Sequence, residues 1–147
     1  MKAIDTNVLV RFLVNDDQKQ AEQVRTLFAL AQKERGVFYV PILVLLETIW
    51  VLESAYQVSR QDLISALSDL LLLPVLEFEQ REAVNAMLSM PVSNKIDLPD
   101  ALIAQSALHS GCECVLTFDQ KAARCDGFEM LVTGYASFQS ERPIHER

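Results

Sequence analysis

Five short apolar runs punctuate this chain, and each stands next to a segment long enough to be a helix. "KAI" ends at Asp5, "VFYVP" is bounded by Gly36 and Pro41, and "PVLEF" closes at Phe78. "CVLT" leads into Phe118 and Asp119, and "FEMLV" follows Gly127. Apolar runs of this length between helices read as strands buried on both faces, which pair in parallel through helical crossovers. The expectation is therefore an α/β fold: a three-layer domain with a central, mainly parallel sheet flanked by helices.

The intervening segments carry helix signals. Ala21, Val24, Leu27, Phe28 and Ala31 recur at helical spacing within 18–33, with Asp16 or Asp17 as cap and Gly36 as stop. Residues 42–56 form a second apolar helix around Ile42, Leu45, Leu46, Ile49, Trp50 and Leu52, and Trp50 reads as a core anchor. Ser59 and Asp62 make a capping pair for a helix over 60–71. A helical segment follows around 79–90, and Pro99 opens another that runs through His109 to Gly111. Leu63, Leu67, Leu70 and Leu71, with Leu30, have the spacing of one domain's core. Residues 1–134 are expected to form the domain, with 135–147 a peripheral tail.

Composition narrows the class. Half of the 147 residues are apolar, enough for a single substantial core. The longest apolar stretches are broken by Pro41, Glu47 and Glu53, so no membrane span is expected, and a soluble cytoplasmic protein is the default. Cys112, Cys114 and Cys125, with His109 and His145, match no zinc-ligand spacing and are expected to be ordinary reduced cysteines. The net charge of −7 lowers the expectation of nucleic-acid binding, unless clustered acids that hold cations account for part of it.

The placement of the acids supports that exception. Asp5 follows the first strand, at the edge where α/β sheets expose their sites, although an Asx turn or helix cap explains it equally well. Glu47 interrupts the apolar stretch "PILVLLETIWVL", where an ionised carboxylate needs a cation, donor hydrogens or water. In "NKIDLPDALIAQSALHSG", Asp97 fits the helix cap, and Asp100 faces an opening ahead of "ALIA". Asp119 repeats after "CVLT" the relation of Asp5 to the first strand, with the Thr117 hydroxyl close by. Carboxylates gathered in one pocket repel one another unless Mg2+ or Mn2+ neutralises them. Such a centre suits phosphodiester hydrolysis.

Taken together, "IDTNVLVRFL", Glu47, "DALIAQSAL" followed by Gly111, and "VLTFD" resemble the PIN domain, especially the VapC toxin ribonucleases. The resemblance covers roughly residues 1–134. It assigns the acidic quartet to Asp5, Glu47, Asp100 and Asp119 as catalytic metal ligands, with Asp97 a secondary acid. Asn7 and Thr117 correspond to small polar residues that organise the pocket. The resemblance further implies a Mg2+-dependent endoribonuclease, with Mn2+ able to substitute, that leaves 5′-phosphate and 3′-hydroxyl ends. It also implies a homodimer and a VapB-like antitoxin as inhibitor.

Arg11, Lys95, Lys121 and Arg124 are candidate RNA-phosphate contacts, against the plainer reading of a solvated basic surface. Phe38, Tyr39, Phe118 and Phe128 are expected in core strands or their flanks, so no base-stacking module is foreseen. The alternatives are a PIN-like nuclease for RNA maturation or structured DNA, and an inactive PIN-like protein-binding domain. A haloacid-dehalogenase-like phosphatase fits poorly, because "DTN" lacks a second aspartate two residues after the first.

Overall fold

A computed structural model describes residues 1–91 and 95–132. The expected alternation is present. In chain order the elements are β1 (Lys2–Ala3), α1 (Thr6–Leu13), α2 (Gln18–Glu34), β2 (Phe38–Val40), α3 (Ile42–Ser54), α4 (Arg60–Leu71), β3 (Leu76–Phe78), α5 (Arg81–Leu88), α6 (Leu98–His109), β4 (Val115–Thr117), α7 (Gln120–Ala123) and β5 (Phe128–Met130). The proposed tail at 135–147 lies outside the described residues.

Every strand pairing among the described residues is parallel, as strands joined by helical crossovers require. The expected burial on both faces is corrected: Lys2 and Ala3 of β1 are exposed and neither β4 nor β5 holds a buried residue, because strands this short are only partly covered by the helices. The sheet is divided, however, into β1-β2-β3 and a separate β4-β5 pair. Lys2 and Ala3 of β1 pair with Phe38 and Tyr39, and β2 continues to β3 through Phe38–Leu76 and Val40–Phe78. The Ile4 amide donates to the Tyr39 carbonyl (3.0 Å), which carries the ladder to the residue before Asp5. Strands of two or three residues offer few ladder bonds, so helix packing sets their placement. The β4–β5 pair leans on α6 and α7. Gly127 makes that approach possible: its φ is +91°, and a Cβ there would stand 3.0 Å from the Ala104 Cβ of α6.

Local signals explain the helix starts. The Asp17 side chain accepts from the Gln20 amide and the Ser59 hydroxyl from the Asp62 amide, both as expected of caps. Leu63, Leu67, Leu70 and Leu71 of α4 are buried and join Leu9, Val40, Leu45, Ile49, Leu52, Met87, Ile96, Leu98 and Leu102 in the core. Phe12 packs on Phe28, and Phe28 on Phe38, with ring centroids 5.0 and 5.9 Å apart.

Two further expectations of burial are corrected, those for Trp50 and Leu30. Trp50 is 61% exposed, because α3 buries the face of Leu45, Thr48, Ile49 and Leu52 and turns Leu43 and Trp50 outward. Phe118 stands in the flank of β4 as expected, exposed in the turn before α7. Leu30 lies on the outer side of α2, which buries Ala21, Val24, Phe28 and Ala31.

Candidate active site

The carboxyl ends of the strands carry acids. Asp5 follows β1 and caps α1, its Oδ1 accepting from the Thr6 amide at 2.7 Å. Glu79 follows β3, and its Oε2 accepts from the Ile42 amide at 2.8 Å, closing the N-terminus of α3 in place of the residue before it, Pro41. Asp119 follows β4 and caps α7 through Oδ1, which accepts from the Lys121 amide at 2.8 Å and the Ala122 amide at 3.2 Å. The Asp119 amide in turn donates to the Thr117 hydroxyl (3.0 Å), so Thr117 orients the turn that carries this acid. Helix N-termini favour negative charge, which lets one carboxylate serve as a cap while leaving lone pairs for another partner.

Several charges meet at the start of α6. Asp100 lies in the first turn and is half-buried. Burial pushes its carboxyl above the usual aspartate range, Asp97 and Asp119 push it further, and the charge of Lys121 pulls it back. Asp97 occupies the cap position but accepts no bond from the first turn of α6; its Oδ1 stands 3.4 Å from the Lys121 ammonium instead. Asp97 thus holds the expected cap position, but its side chain does not do the capping: a lysine brought close by the fold offers it a full charge instead. Glu53 of α3 also faces this corner, its carboxyl raised by burial and by Asp97 and lowered by Arg60. Arg60 donates to the Ile96 carbonyl just ahead of Asp97, tying the first turn of α4 to the approach to α6.

Glu47 reaches the same region from another side. It lines a groove of about 390 Å3 with Leu43, Leu46, Trp50, Pro99 and Ile103, which places it across from the first turn of α6. Its carboxylate is exposed, so water solvates the charge that sequence reading left in need of a partner. Asn7 is exposed on α1 beside Arg11, in a groove shared with α2. Thr6, next to Asp5, is buried with no partner for its hydroxyl oxygen among the described residues.

Among the proposed phosphate contacts, Arg11 is already engaged. Its guanidinium donates to Gln20 (2.7 Å), Asp16 (3.2 Å) and Tyr56 (3.3 Å), while the Tyr56 hydroxyl donates to Asp16 at 2.6 Å. It lies in the last turn of α1, away from the end that Asp5 caps. Lys95 and Arg124 are exposed, and Lys121 is the cation drawn to the acids.

The acids do not close into one ligand cage. Among the described residues, no three His, Cys, Asp or Glu side chains are close enough to hold a single ion together. The donor chemistry nonetheless fits a hard cation, since the side chains in question offer carboxylate oxygens only; the Asp100 carboxyl among them is raised first by burial and then by Asp97 and Asp119. Mg2+ in particular keeps several waters and binds through one or two carboxylates. Sequence reading missed Glu79 and Glu53. Glu79 was legible by the rule that singled out Asp5 and Asp119, an acid directly after a strand. Glu53 stood out in the sequence only as a charge that breaks an apolar stretch; its partners Asp97 and Arg60 come from elsewhere in the chain.

These features define a parallel-stranded α/β domain with acids at the carboxyl ends of its strands, where such folds place their sites. The chain belongs to the PIN domain family, whose model matches residues 2–127. That family has a nuclease-type fold, its members are generally hydrolases of nucleic acid, and divalent metal ions are typical of it. No curated protein matches the chain. No helix among the described residues is long and apolar enough to cross a membrane.

Proposed function

We propose that this protein is a Mg2+-dependent endoribonuclease of the VapC toxin type, restrained by a VapB-like antitoxin. The observation that carries the reading is the electrostatic grouping of Asp100, Asp97 and Asp119, within a PIN domain in which Asp5 follows β1 and caps α1. Asp5, Glu47, Asp100 and Asp119 are the proposed ligands, direct or through water, with Mn2+ able to substitute. When bound, Mg2+ supplies charge neutralisation at the phosphate and an activated water. The chain's part is to aim the carboxylates, with Thr117 fixing the Asp119 turn and the Asp5 cap fixing the start of α1. The toxin role rests on the resemblance of "IDTNVLVRFL", Glu47, "DALIAQSAL" and "VLTFD" to VapC ribonucleases.

The test pairs defined RNA and single-stranded DNA with the purified protein, in Mg2+ and in EDTA, alongside Asp5→Asn. RNA cleavage is expected in Mg2+ alone, with 5′-phosphate ends. Partners that merely orient metal ligands are worth 10–100-fold in other metal sites, so Asp5→Asn is expected to remove about a hundredfold or more. Cleavage that survives both EDTA and Asp5→Asn would sink the site, and cleavage of DNA alone would favour the nuclease alternative. A second reading, an inactive protein-binding domain, is favoured by the spread of the acids. It predicts no cleavage in any cation, with growth arrest on expression still relieved by the antitoxin.

A further inference from the structure

The acidic corner carries a cation of its own. Asp119 caps α7 by accepting from the Lys121 amide, and the Lys121 side chain then reaches the start of α6, its Nζ 3.4 Å from Asp97 Oδ1. Both side chains of the pair are largely exposed, at 66% and 62%, so the pair is weakly held and open to exchange with ions from solvent. The nearby Arg60 is held differently, by the Ile96 carbonyl and beside Glu53. Lysine suits an exchangeable role, being a compact charge on a flexible stem rather than a fixed fork.

We propose that Lys121 is a built-in counter-cation of the acidic site, standing beside Asp97 while no divalent ion is bound and giving way when one enters. The inference rests on the reading of these acids as a metal site. The Lys121 charge also reaches Asp100, where it opposes the push of burial, Asp97 and Asp119. A resident positive charge offsets part of the repulsion among the metal-free acids, and it weakens the site's attraction for a second cation. Removing it should therefore tighten metal binding, the opposite of what loss of a ligand does.

The experiment is a Mn2+ titration of the full chain by calorimetry at low ionic strength, comparing wild type, Lys121→Gln, Lys121→Arg and Asp100→Asn. Lys121→Gln is expected to bind Mn2+ roughly three- to tenfold more tightly, from one unit charge removed a few ångströms away in a solvent-exposed setting. Lys121→Arg, which keeps the charge on a fork that holds a carboxylate more firmly, should bind Mn2+ no more tightly than wild type, and the gain in Lys121→Gln should shrink as salt screens the site. Affinity that is unchanged or weaker in Lys121→Gln, with wild-type melting, overturns the counter-cation role. Mn2+ binding that survives Asp100→Asn overturns the metal-site reading beneath it. Failure of wild type and Lys121→Gln alike to bind Mn2+ overturns both.

Discussion

A carboxylate rests easily where water or a cation meets it, and Glu53 has only part of each. It is half-buried between α3 and the approach to α6, with Asp97 opposing its charge and Arg60 favouring it. The net effect raises its carboxyl, so the folded chain holds this proton more tightly than the unfolded chain does. The stability it contributes is then complete below the unfolded glutamate pKa and is lost as pH rises through the folded one. Glu53→Gln is accordingly expected to melt higher than wild type at pH 7, with the gap closing towards about pH 4. Thermal melts across that range check it, and a variant that melts lower throughout would show that the Arg60 attraction dominates. Asp5, Asp97, Asp100 and Asp119 were legible in the sequence because each sits beside a strand end or a helix start. The partner of Asp97 was not, since a lysine 24 positions away competes for it only once α6 and α7 are packed.

Elements differ in how much their own residues disclose. In α4 the cap pair Ser59 and Asp62 and the buried leucines at helical spacing agree with one another, and the observed helix matches that reading. Leu67, 1% exposed, is expected to cost about 2–5 kcal/mol on substitution by Ala, as a core cavity does. Leu43→Ala on α3, where the side chain is 74% exposed, should stay within about 0.5 kcal/mol. Denaturant midpoints of the two variants measure the contrast, and comparable losses would mean that the outer face of α3 is covered. That outer face was not legible. Apolar residues surround α3 on every side, so periodicity alone does not separate the core face of Leu45 and Ile49 from the exposed face of Leu43 and Trp50.

At the scale of the molecule, the net charge is −7 and the acids near the start of α6 do not close into a cage among the described residues, so the proposed metal site is tested by whether a divalent cation stabilises the fold. A ligand that binds only the folded chain stabilises it by mass action, about 2.7 kcal/mol at a hundredfold excess over its dissociation constant. Mg2+ is therefore expected to raise the melting temperature of wild type well beyond any effect of equal ionic strength from NaCl, and to do so much less in Asp100→Asn. Equal shifts in both proteins would mean general screening rather than a site. The sequence alone determined the alternation of short strands and helices and their parallel pairing, because strand length, helix periodicity and caps are local properties; the family was legible only through the resemblance carried by "IDTNVLVRFL", Glu47, "DALIAQSAL" and "VLTFD". Tertiary structure alone decided that the sheet is divided, that Trp50 and Phe118 face outward, and that Lys121 rather than the α6 backbone meets Asp97. Each of those outcomes depends on which surfaces meet after the chain is packed. Residues distant in sequence then compete for the same partner, and no local pattern encodes the winner.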